Sequence, residues 1–129
     1  MATIRKKRKS RYKTGYYDSS KMGKKIRYRS GYELRVYEYL DKNDDVTAYF
    51  AEPFKLPYNY SKRTIKNYIP DLLIVYKNSS TKLVEIKPQY KTTTKTNLAK
   101  FKSAEQYCKN NNLVFEVWTE FTLKELIKD

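Results

Sequence analysis

The chain has 129 residues, enough for one domain with a modest core, and 40% hydrophobic and 16% aromatic residues argue that it folds. It carries 28 Lys and Arg against 14 Asp and Glu, for a formal charge of +14, with no histidine and a single cysteine, Cys108. Those numbers exclude an internal disulfide, histidine-based zinc sites and histidine triads, and they leave carboxylate oxygens as the ligands for any metal.

The charge is uneven. Residues 1–32 hold twelve Lys and Arg and one acid, Asp18, whereas residues 33–129 are near balance, with sixteen against thirteen. A polyanion is the natural partner for such a surface. Residues 1–25 contain Arg5, Lys6, Lys7, Arg8, Lys9, Arg11 and Lys13 with Tyr12, Tyr16 and Tyr17 interleaved, and show no sustained periodicity. They predict a flexible basic arm, whose tyrosines either stack on bases or pack on the domain. No apolar stretch follows the basic N-terminus and no run approaches the ~18 residues of a membrane span, so neither a signal peptide nor a membrane segment is expected. The lone cysteine fits a reducing compartment.

Beyond the arm, Ser30 and Glu33 form a capping-box pattern ahead of Leu34, Val36, Tyr37 and Leu40, predicting a helix over 31–42. Glu33 has two readings there, reaching back to cap the helix start or pointing into a site. Residues 46–50 read as a strand, 52–60 as a proline-punctuated extended piece and 61–63 as a turn. Two β-branched runs, 66–76 and 81–87, read as a hairpin. A helix follows over 97–110, with Leu98, Phe101, Ala104, Glu105 and Cys108 on one stripe. A strand over 113–118 comes next, and a second capping box at Thr122 and Glu125 opens a terminal helix. The crossover helix between the second hairpin strand and the last strand demands a parallel pairing beside the antiparallel one. The fold class is therefore α/β, with a mixed sheet flanked by helices and no second domain.

Charged residues interrupt the hairpin where a core strand should carry none: Asp71 near the first run, Glu85 and Lys87 at the end of the second. Side chains alternate faces along a strand, so Glu85 and Lys87 project together. Asp71 shares their face only if it lies opposite Glu85 or Lys87, not Ile86. A three-residue connection, Asn78 to Ser80, achieves this by pairing Asp71 with Lys87, whereas a strict four-residue loop does not. Two carboxylates and an amine gathered at one strand end suit a divalent metal, Mg²⁺ or Mn²⁺, acting on a phosphodiester.

The pattern Tyr-Arg-Ser-Gly-Tyr-Glu (28–33), Pro-Asp-Leu (70–72), Val-Glu-Ile-Lys-Pro (84–88) and Val-Trp-Thr-Glu (117–120) resembles the PD-(D/E)xK nuclease superfamily. Within it, the pattern is similar to TnsA-type transposon endonucleases and closer still to the head-completion nucleases of T-even-like bacteriophages. The resemblance implies a restriction-endonuclease-like domain over residues 26–129 and a Mg²⁺-dependent endodeoxyribonuclease acting in phage DNA packaging or head completion. It implies metal ligation by Asp71, Glu85 and the Ile86 carbonyl, with Glu33 completing the site and Lys87 orienting the attacking water. Phosphate contacts are expected from Lys24, Lys25, Arg27, Arg29, Ser30, Gln89, Lys91, Lys95 and Lys100. DNA is the implied partner, with phage head or neck proteins beside it, in a host cytoplasm or associated with the virion. A DNA-binding structural protein on the same scaffold and a homodimeric junction resolvase are the competing readings.

Overall fold

A computed structural model describes residues 14–127. Its centre is a four-stranded mixed sheet in the order β3 (Val46–Ala51), β6 (Leu72–Tyr76), β7 (Thr81–Ile86), β8 (Val114–Trp118). β3, β6 and β7 pair antiparallel, and β7 and β8 pair parallel across the helix α2 (Lys95–Asn110), as the crossover requires. The alternation along β7 divides the core. Val84 joins Val36, Tyr37 and Leu40 of α1 (Gly31–Lys42) on one face, together with Trp118 and Leu123 of α3 (Glu120–Leu126). Leu83 joins Ala104 and Cys108 of α2 on the other. Among the described residues no helix is long and apolar enough to cross a membrane.

α1 has the predicted bounds, with the Ser30 side chain accepting from the Glu33 N–H at 3.1 Å. Several other expectations are corrected. Residues 14–25, assigned by sequence to the arm, enter a β-hairpin, β1 (Gly15–Ser19) with β2 (Lys24–Tyr28), that packs on α1. The reason is a polar anchor that composition hides. Asp41 accepts from Tyr17 Oη at 2.9 Å, Ser19 Oγ at 2.8 Å, Tyr49 Oη at 2.6 Å and the Ser20 N–H at 3.0 Å. Lys21 Nζ meanwhile donates to the carbonyls of Leu40, Asn43 and Val46 at 2.7–2.8 Å, satisfying the end of α1. The rest of the proposed arm, residues 1–13, lies outside the described residues.

The expected strand 66–76 is two strands in two sheets. β5 (Thr64–Tyr68) pairs only with β4 (Leu56–Ser61) in a separate ribbon, and β6 begins at Leu72. Pro70 has no N–H to extend a ladder, and Tyr68 and Leu72 serve different core clusters, so the chain changes sheets at Ile69–Asp71. The β6–β7 turn is Lys77–Ser79 rather than Asn78–Ser80: Tyr76 N–H donates to the Ser80 carbonyl at 2.9 Å. Ser79 occupies the left-handed region, φ 73°, and Asn78 Oδ1 accepts from the Ser80 N–H at 2.9 Å.

α2 starts two residues earlier than predicted, at Lys95, because Thr94 is its N-cap. Its buried line runs through Asn97, Ala104 and Cys108, while Leu98 and Glu105 of the proposed stripe are exposed. α3 starts at Glu120: Thr119 caps it, and Thr122 is the third helical residue that answers the cap, not the cap itself.

Candidate active site

The β6–β7 register, Leu72 opposite Val84 and Leu73 opposite Leu83, continues to set Asp71 opposite Glu85. The turn is one residue off the expected position and the pairing slips by two, so the parity is the one that puts Asp71 and Glu85 on the same face. Leu73 and Leu83, next on that face, belong to the α2-side core, which fixes the direction in which both carboxylates point. The pair is tightly held. Asp71 Oδ2 accepts from the Ile86 N–H at 2.7 Å, and the Lys87 N–H donates to the Trp118 carbonyl at 3.0 Å, tying the lysine's backbone to β8.

Next to the pair opens a cavity of about 750 Å³ lined by Glu33, Asp71, Ile86 and Lys87, with Arg29 and Lys91 on its wall. Glu33 reaches it from the first turn of α1. Its Oε1 accepts from the Arg29 N–H at 2.7 Å, so it caps the helix approach and faces the cavity at once, uniting the two sequence readings. Glu85 is not on the cavity wall. It is 2% exposed, and its Oε2 has no hydrogen-bond partner among the described residues.

The electrostatics are those of crowded carboxylates. Burial, and then the neighbouring Asp71 carboxylate, push Glu85 from 4.5 up to about 8, against the pull of Lys87 and Lys100. Asp71 is also raised, by burial first, despite the Ile86 N–H and Lys87. Glu33 is raised by burial, opposed by the Arg29 N–H, with Asp71 adding to the rise. An unpartnered, buried carboxylate oxygen beside a second carboxylate is the vacancy in hydrogen bonding that a hard divalent cation fits. Among the described residues, no three Asp, Glu, Cys or His side chains converge on one point.

The proposed phosphate contacts divide. Arg29, Ser30 and Lys91 line the cavity. Ser30 Oγ is engaged as the α1 cap. Lys24, Lys25 and Arg27 are exposed on β2, Lys95 is exposed at the start of α2, and none of these four lines the cavity. Gln89 is exposed in a short 3₁₀ turn, its N–H donating to Glu120 Oε1 at 2.8 Å. Lys100 is half-buried, its Nζ 5.6 Å from the ring centroids of both Tyr58 and Tyr68.

Glu52 escaped the sequence reading. At the end of β3 its N–H donates to the Asp71 carbonyl at 2.9 Å, its φ is +49°, and its carboxylate pairs with Arg29. The carboxylate acts on Asp71 and Glu33, raising both. The only local signal was an acid before Pro53 at a strand end.

The order of these residues along the chain matches a described family, TnsA-like endonuclease N terminal, over residues 43–120. The protein belongs to that family. The match covers more than half of the chain and includes Asp71, Glu85 and Lys87. Glu33 lies before it, carried by the wider resemblance. The chain is also 27% identical to the head completion nuclease of Enterobacteria phage T4, across 80% of this chain and 84% of that protein. The mixed sheet flanked by helices is the architecture expected of this endonuclease family.

Proposed function

We propose that this TnsA-like protein is a divalent-metal-dependent endodeoxyribonuclease. The observation that supports it best is the Asp71–Glu85 pair, set across the β6–β7 ladder with an unpartnered Glu85 oxygen and followed at once by Lys87. In this reading Asp71, Glu85 and the Ile86 carbonyl hold Mg²⁺ or Mn²⁺, and Glu33 completes the site through solvent. The bound ion would supply charge neutralisation at the phosphate and a stronger water nucleophile. Lys87, on the cavity wall, orients that water for in-line attack at phosphorus and offsets the charge that develops there. Arg29 and Lys91 hold the flanking phosphates. The charge of Lys87 acts on both Asp71 and Glu85, favouring their ionised forms.

The similarity to the phage T4 head completion nuclease supports a role in phage DNA packaging or head completion, with action on DNA ends or branches as our reading. The sequence shows no recognition-helix or zinc-finger motif, so selectivity by DNA structure is the reading we favour. The test is incubation with supercoiled, linear and four-way-junction DNA in Mg²⁺, Mn²⁺ or EDTA. Metal-dependent cleavage that Asp71→Asn removes is the expected result. Tight DNA binding with no cleavage in any metal would leave a structural DNA-binding protein, and paired nicks by a dimer on junctions would make it a resolvase.

A further inference from the structure

We propose that the β4–β5 ribbon is a second DNA-contacting element, a sequence-independent clamp on the duplex arm beside the cleavage site; this rests on the nuclease reading above. Among the described residues the ribbon is separate from the central sheet: β4 and β5 pair there only with each other. Residues 59–67 are all exposed, so the distal half of the ribbon stands in solvent with two open edges. A free two-stranded ribbon of this kind is normally a liability that proteins keep short or cover. Here it is instead charged in one sense. Lys55, Lys62, Arg63 and Lys66 lie on or next to it, and no Asp or Glu occurs between residues 53 and 70. Apolar side chains sit among the cations: Ile65 is 69% exposed, and Lys66 Nζ lies 3.7 Å above the Tyr60 ring.

The root of the ribbon is packed on α2 and lies close in sequence to Asp71. Tyr58 and Tyr68 meet edge to face in the α2-side core, 5.7 Å between centroids, and Ser103 Oγ of α2 donates to the Pro57 carbonyl. Lys100 sits against both tyrosines and its charge acts on Asp71 and Glu85. Three residues separate Tyr68 from Leu72, and Asp71 is one of them. A six-residue strand reaches about 20 Å, so the cations at the tip fall roughly half a helical turn of DNA from the scissile phosphate. The major groove admits a two-stranded ribbon, and lysine and arginine at its edges meet phosphates without reading bases. A protein partner would also find Ile65 and Tyr60, but a ribbon that carries cations and no acid of its own is complementary to a phosphate backbone.

The test uses the full chain with Lys62→Gln, Arg63→Gln and Lys66→Gln together, all at exposed positions, checked for an unchanged melting temperature. Duplex binding is measured by fluorescence anisotropy in EDTA from low to moderate salt, so a chain inert towards every DNA still answers the question. The triple variant is expected to bind at least about ten-fold more weakly and to lower the slope of log K against log salt by roughly 2 to 3. In Mg²⁺ the cleavage defect appears in KM for a duplex of about 25 base pairs, and shrinks on one of about 8 centred on the cleavage site, whose arms of about 14 Å stop short of the tip. An unchanged slope overturns the proposal and leaves the nuclease reading standing, with the ribbon free for a protein. An equal loss on neutralising Lys77, Lys109 and Lys124, exposed elsewhere, also overturns it, because bulk charge would then suffice.

Discussion

Glu85 is a buried acid whose preferred state in the metal-free protein is protonated, and that makes it costly to the fold it serves. Its folded pKa, about 8, lies above the ordinary 4.5, so the folded chain binds the extra proton between those values. The contribution of Glu85 to stability is greatest below about pH 4, declines as pH rises towards 8, and stays at its lower value above that. Glu85→Gln should therefore stabilise the fold in EDTA at pH 8, by several kcal/mol at most, and do nothing at pH 4. Thermal unfolding at the two pH values checks it. The same substitution should remove the stabilisation that Mg²⁺ or Mn²⁺ gives the wild type. Lys87→Ala separates chemistry from binding: cleavage should fall at least about 100-fold, with DNA affinity in EDTA little changed. A variant that cleaves at the wild-type rate would remove Lys87 from the mechanism. Glu85 and Lys87 were legible in the sequence as charges where a core strand should carry none. Glu52 was not, because its position beside Asp71 depends on the β3–β6 pairing.

Among the elements, the β1–β2 hairpin carries the largest difference between expectation and structure. A basic, tyrosine-rich stretch without periodicity looks unstructured, yet one carboxylate on α1 organises it. Burial works upward on Asp41, but hydrogen bonds from Tyr49, Ser19, Tyr17 and the Lys21 N–H outweigh it and hold its pKa below the usual aspartate range. The stability this gives is fully present above about pH 4 and is lost as pH falls through the lowered folded value. Asp41→Ala leaves the Tyr17, Ser19 and Tyr49 hydroxyls without their acceptor and should cost about 2–3 kcal/mol, read by urea unfolding at pH 7. The β6–β7 hairpin teaches a narrower lesson. Alternation limited Asp71 to two partners on one face, and turn chemistry at Asn78 and Ser79 chose Glu85.

For the molecule as a whole, the question is how a net charge of +14 is deployed. Deleting residues 1–13 removes seven cations and should lower the salt slope of DNA binding by up to about 6. Deleting residues 1–25 removes β1 as well and leaves Asp41 without Tyr17 and Ser19, so the melting temperature should fall well below that of the shorter deletion. Comparing the two by anisotropy and calorimetry separates electrostatic steering from hairpin packing. Equal melting temperatures would mean that the hairpin contributes nothing to the fold.

The amino-acid order alone fixed what is local: the bounds of α1, the parallel crossover, the carboxylate chemistry left by the absence of histidine, and the condition, a three-residue turn, under which Asp71 shares a face with Glu85. These follow from capping, chain connectivity and two-residue alternation, each of which acts within a few residues. Only the tertiary structure decided that β5 leaves the central sheet as a basic ribbon, that Asp41 gathers the N-terminal hairpin, that Glu52 pairs with Arg29 at the cavity, and that Glu85 is buried with an unpartnered oxygen. Those outcomes depend on which distant surfaces meet, and a meeting of that kind leaves no periodic mark on either segment.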